Sequence, residues 1–125
     1  MIDGKTILKD ISPSNDLTRQ LLLQLSDLFG LYHFGITNMF LHDTQIRSDD
    51  LNETNPLNFF RVYASAHVFY YEYNFGNGHH SNKIEESCTV DELTNMIGEF
   101  VLQYKTNKMN FELHTIKEDF KWHLI

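Results

Sequence analysis

Residues Asn58 to Phe75 read NFFRVYASAHVFYYEYNF, the most aromatic run in the chain, and Gly76-Asn77-Gly78 follows at once. Aromatic and β-branched side chains favour a pleated, half-buried surface. As one continuous strand the run places Phe60, Val62, Ala64, Ala66, Val68 and Tyr70 on one face. Phe59, Arg61, Tyr63, Ser65, His67, Phe69 and Tyr71 then fall on the other. The run predicts either the central strand of a small sheet or two strands broken near Ser65. Gly-Asn-Gly supplies residues that accept positive φ, as tight hairpins require, so His79 to Glu86 is the expected partner strand. Asn55-Pro56 keeps a helix open as the alternative, because the pair suits an N-cap and first helical position. That helix would align Phe60, Tyr63, His67, Tyr70 and Asn74.

The rest of the chain must fold around this run. At 125 residues it suits one domain, residues 1–125. A chain of this size buries roughly two-thirds of the surface that its unfolded form exposes, enough for a real core. Residues 5–11, KTILKDI, are expected as a short edge strand, ended by Ser12-Pro13-Ser14. Ser14 or Asn15 can cap a helix in which Leu17, Leu21, Leu25 and Leu28 recur at helical spacing. Leu22 and Phe29 widen that stripe, and Gly30 suits the residue just past the helix. Gly30 just before residues 31–41 and Gly35 within them lie close together, which weakens a helix, and a strand from Leu31 is expected. His42 to Asn55 is a polar loop of about fourteen residues, longer than most connections.

A second helix is marked by a capping box, Thr89 with Glu92, and by Asp91 at its positive end. Leu93, Met96, Ile97, Phe100, Val101 and Tyr104 form its apolar stripe. Beyond Asn107, Phe111, Leu113 and Thr115 alternate with polar residues, and so do Phe120, Trp122 and Leu124. Two strands joined at Lys117 to Asp119 are expected there. The expected fold class is α+β, with the order (β)-α-β-loop-β-β-α-β-β. It is a mostly antiparallel sheet with two main helices packed on a face.

Charge narrows the function. Acidic residues outnumber basic ones 17 to 10, for a net charge of −7. A nucleic-acid surface needs clustered Lys and Arg to neutralise phosphates, so no direct nucleic-acid partner is expected. A basic protein partner is the better match, because opposite charge steers encounter. Cys88 is the only cysteine, so no intrachain disulfide is available. With no apolar leader and no apolar run long enough to span a bilayer, the expected location is the cytoplasm, without membrane association.

Catalytic constellations are scarce. His79-His80 is the only adjacent histidine pair, and neighbours on a strand point to opposite faces. A metal site needs three or four groups, so neither metal nor cofactor is expected. Asp49-Asp50, Glu85-Glu86 and Asp91-Glu92 pair carboxylates in polar surroundings, where nothing separates their acidities. Cys88 precedes the helix cap and fills the place of a hydrophobic staple against Leu93.

Two resemblances supply alternatives. Arg61 and His67 give R-x5-H, which is similar to the loose pattern of HEPN ribonucleases. That likeness implies a helix carrying both residues and a dimer that joins two such pairs to cleave RNA. Val62 stands where the family has a polar residue. On a strand, the two side chains would share a face about 20 Å apart. The order of elements and the acidic balance also resemble class I type III secretion chaperones, which implies a dimeric acidic chaperone, although the usual final helix is not expected here. The reading preferred over both is a non-enzymatic inhibitor of the toxin-immunity or phage-encoded class, which occludes a basic site on its partner. Its expected contact residues are Asp43, Asp49, Asp50 and Glu53 from the long loop, Glu85 and Glu86, and the rings of Tyr71 and Tyr73.

Overall fold

The computed structural model describes residues 1–35, 37–42, 58–76 and 78–123. The protein is α+β, with a five-stranded antiparallel sheet and two main helices packed against it.

The first element is a helical turn, α1 (Leu8–Ile11), where an edge strand was expected. Leu8 and Ile11 are three residues apart, so a helical turn buries both on one side, whereas a strand would send them to opposite faces. Only Ile7 keeps a strand-like contact, an isolated bridge to Thr89. Ser14 caps α2 (Asn15–Phe29), its side chain accepting from the Leu17 N–H at 3.2 Å. Gly30 ends it in the left-handed region, at φ 67°. The buried stripe is Thr18, Leu21, Leu22, Leu25 and Ser26. Leu17 and Leu28, expected within it, are exposed. The Ser26 hydroxyl is satisfied by the Leu22 carbonyl at 2.6 Å.

Residues 31–41 form a hairpin where one strand was expected. Gly35, at φ 64°, turns β1 (Tyr32–Phe34) back into β2 (Asn38–His42). The organising run is two strands, β3 (Asn58–Ser65) and β4 (Val68–Phe75), joined by Ala66 and His67. Both linking residues have positive φ, 50° and 65°, as a two-residue hairpin turn demands. His67 Nδ1 lies 3.1 Å from the Ser12 carbonyl oxygen, which ties the turn to the helical layer. Gly76 and Gly78 then lead to β5 (His80–Lys83), within the segment expected to pair.

The two-residue turn changes the expected faces. Phe60 pairs with Tyr73, Val62 with Tyr71 and Ala64 with Phe69. The even positions of β3 therefore share a face with the odd positions of β4. Val68 and Tyr70, expected beside Phe60, are on the opposite face. The strands follow one another in chain order, β1-β2-β3-β4-β5.

The capping box forms as expected at the start of α3 (Val90–His123). The Glu92 N–H donates to Thr89 Oγ1 at 3.2 Å, and the Thr89 N–H to Glu92 Oε1 at 3.4 Å. Val90, Leu93, Ile97, Val101 and Tyr104 are buried in the core, and the Phe100 ring stacks on Phe60 at 5.1 Å. The two strands expected after Asn107 do not form, because α3 continues to His123. Neither glycine nor proline occurs after Gly98, so nothing local stops the helix. Its 34 residues span about 51 Å at 1.5 Å each. The eight-residue strands β3 and β4 span only about 27 Å. Where α3 leaves the sheet, buried Asn58 joins the two. Its Nδ2 donates to the Tyr104 carbonyl at 3.3 Å, and its Oδ1 accepts from Asn107 Nδ2 at 3.0 Å.

Candidate functional site

Both main helices lie on the face of the sheet that carries Met39, Leu41, Phe60, Val62 and Phe69. No described helix covers the other face. The register gathers there Tyr32 and Phe34 from β1, Phe40 from β2, and Phe59, Arg61 and Tyr63 from β3. Tyr70 and Glu72 from β4 complete it.

These side chains form a connected surface. Tyr32 lies 5.7 Å from Phe40. Tyr63 stacks on Tyr70 at 5.3 Å, and the Arg61 guanidinium sits over the Tyr63 ring at 4.4 Å. Arg61 and Glu72 are direct cross-strand partners. Arg61 Nε is 2.8 Å from Glu72 Oε1, and the second guanidinium nitrogen donates to Oε2 at 3.4 Å. The shorter contact is an ion pair, not a well-aligned hydrogen bond. His79 Nε2 approaches Glu72 Oε2 at 3.1 Å, and its ring lies 6.0 Å from Phe59. The pair of opposite charges fixes the middle of the face, while the rings at the β1 edge are open: Phe34 is 72% exposed and Tyr32 57%. Two exposed rings on an edge strand, continued by half-buried Phe40, Tyr63 and Tyr70, form an apolar patch of the kind that interfaces use.

The described residues among those singled out from sequence are dispersed. Tyr71 and Tyr73 are half-buried on the helix-covered face, 6.2 Å from each other and each about 5 Å from Phe100, at 5.2 and 4.8 Å. Glu85 and Glu86 are exposed between β5 and α3, and Lys83 reaches Glu86 at 3.7 Å. Asp43, Asp49, Asp50 and Glu53 lie outside the described residues. His79 and His80 do diverge as strand alternation requires, since His79 meets Glu72 and His80 stacks on Tyr73 at 4.9 Å. The helix implied by the ribonuclease likeness is absent: Arg61 lies in β3 beside Glu72, and His67 in the following turn. Among the described residues no group of three or more His, Cys, Asp or Glu side chains is placed to hold a metal ion. No helix among them is long and apolar enough to cross a membrane.

Cys88 packs against the core at the start of α3. Burial, followed by the negative charge of Glu92, pushes its thiol above the usual range. The thiol is therefore protonated and a poor nucleophile at neutral pH. The folded state holds this proton more tightly than the unfolded chain. Its contribution to stability is therefore complete below the ordinary thiol range and fades as the pH rises through the folded value.

A shallow groove lies on the helix side, where α3 passes the end of the sheet. Tyr73, Phe75 and His80 line one wall, and Leu102, Thr106 and Asn110 the other, around about 510 Å³.

The open face was missed because its members come from four strands whose register depends on the turn at Ala66-His67. One signal was available. Arg61 and Glu72 are the only charges within an otherwise aromatic run, and a two-residue turn between them places them opposite each other. No family model, curated protein or solved structure matches the chain.

Proposed function

We propose that this chain is a small, non-enzymatic binding protein that captures a basic protein partner on the open face of its sheet and inhibits it by occlusion. One observation carries the reading: a sheet face free of described helices, on which Tyr32, Phe34, Phe40, Tyr63 and Tyr70 surround a paired Arg61 and Glu72. Rings supply contact area at low entropic cost, and interface cores are enriched in Tyr and Phe. The pairing of Arg61 with Glu72 leaves the centre of the face close to neutral. The chain as a whole carries an excess of acid, 17 residues against 10. Exposed Glu85 and Glu86, and the Asp43, Asp49, Asp50 and Glu53 of the sequence, all contribute to the field. Such a field raises the encounter rate with a cationic surface and repels polyanions. This favours a basic nuclease, toxin or defence enzyme over RNA, although stacked rings can also serve single strands.

The test uses affinity capture from the source lysate, with the intact chain beside a Tyr32→Ser/Phe34→Ser variant. A cationic protein held by the intact chain is then purified and titrated with both proteins. The expected result is inhibition of that protein's activity, with binding weakened at least about 30-fold in the variant, as for central aromatic contacts. Binding should also weaken as salt rises. Equal binding by the variant, or a captured partner with no basic surface, would remove the proposal.

A further inference from the structure

The groove between β4, β5 and α3 sets rings against carboxamides. Tyr73 lies 5.0 Å from Phe75 at 27° and 4.9 Å from His80 at 21°, so one wall is a row of near-parallel rings. Gln103, Asn107 and Asn110 line the opposite wall, spaced four and three residues apart on one side of α3. Among the described residues that line the groove there is no Asp, Glu, Lys or Arg, although 22% of the chain is charged. At about 510 Å³ the space is that of a small-molecule site.

One of the three carboxamides is fixed. The Tyr104 carbonyl can only accept, so Asn58 must turn Nδ2 toward it, and does so at 3.3 Å. Asn58 Oδ1 then requires a donor, which Asn107 Nδ2 supplies at 3.0 Å. This chain of bonds sets which way round the Asn107 amide lies. Asn58 is 5% exposed, so solvent has little access to the bonds that hold that orientation. The pair that remains on Asn107 is Oδ1 and the second Nδ2 hydrogen, an acceptor beside a donor.

We propose that this groove binds the adenine ring of a nucleoside. An Asn acceptor and donor side by side match the amino group and N7 of adenine. Guanine would set its O6 and N7, both acceptors, against the fixed Asn107 Oδ1. The row of rings supplies a stacking surface for a flat base. Gln103 and Asn110, both exposed, can serve the remaining polar edge and the ribose hydroxyls. Charge selects the form of the ligand. With no cation in the lining and a net charge of −7, nothing in the groove favours phosphates. Adenosine is therefore preferred over ATP or an adenylate strand. The groove lies on the helix side, away from the open sheet face, and the inference does not rest on that face having the proposed role.

NMR titration of the intact, ¹⁵N-labelled chain with adenosine, guanosine, ATP and an oligoadenylate tests this. Adenosine should give saturable shifts at millimolar concentration or below, at the Asn107 side-chain amide and the Gly78 backbone amide. The amides of Tyr63 and Tyr70, on the open face, should stay in place. Guanosine should bind at least about 10-fold more weakly, the scale of one misread base. An Asn107→Ala variant should weaken adenosine about 5-fold, the scale of a lost hydrogen bond, and erase the preference over guanosine. The comparison of bases uses the intact chain and holds whether or not that variant folds. No saturable shift with adenosine, equal binding of guanosine, or tighter binding of ATP or the oligoadenylate would overturn the proposal.

Discussion

The two faces of the sheet are built from the same strands and are almost equally rich in rings, yet among the described residues helices cover only one. Phe60, Val62, Phe69, Tyr71, Tyr73 and Phe75 meet α2 or α3. Phe59, Tyr63 and Tyr70 alternate with them and do not. The difference lies in charge. Arg61 and Glu72 occupy the centre of the second face, and covering both with apolar helix would cost their hydration, which the attraction between them does not reliably offset. Burial under an apolar helix costs less on a face free of charge. A ring-rich face that holds an ion pair favours contacts that satisfy both charges.

The sharpest way to break this comparison is Phe60→Ala. Phe60 is fully buried and stacked on Phe100, so the loss should be about 3–5 kcal/mol, transfer and cavity together. Urea denaturation measures it, and a loss below about 1 kcal/mol would deny that this side is the core. Asn58→Ala comes next. It removes a second donor from the Tyr104 carbonyl, which keeps its helical bond, and the acceptor of the part-buried Asn107 amide, at a cost of about 0.5–1.5 kcal/mol per hydrogen bond. On the open face, effects should be smaller. The Arg61 side chain is 39% exposed, so a double-mutant cycle with Glu72 should give a coupling of no more than about 1 kcal/mol, weakened by salt. The smallest effect is expected for Phe34→Ser, within about 0.5 kcal/mol of the parent, together with higher solubility. A large loss of stability there would mean that the exposed ring supports the fold.

Much of the frame was legible because it rests on local chemistry. The Thr89/Glu92 box, the Ser14 cap and Gly30 end or begin helices through contacts within one turn, and these need no knowledge of the rest of the molecule. The α+β class followed from them and from the aromatic run. Among the local readings that failed, three did so for identifiable reasons. Short apolar spacings at Leu8–Ile11 suit both a turn of helix and a strand, and tertiary burial decided between them. Alternation after Asn107 looked strand-like, but no residue there interrupts a helix that was already nucleated. The face assignments of β4 failed because Ala66-His67 does not resemble the Asn-Gly or Gly-Gly pairs that announce a two-residue turn. That single turn determines which side Tyr70 and Glu72 occupy, and so the open face could not be read in advance.

The same turn has a consequence for how the molecule assembles. Two successive L-residues in the left-handed region oppose closure by about 1–2 kcal/mol each, so β3 and β4 have a poor local nucleus for zipping together. The contact of His67 with Ser12 comes from a segment more than fifty residues earlier and can hold the bend only once the amino-terminal layer has arrived. The central ribbon should therefore form late and all at once with its surroundings. Installing Asn-Gly at 66–67 should speed refolding in stopped-flow traces and leave the unfolding limb little changed; an unaltered refolding rate would place the bottleneck elsewhere.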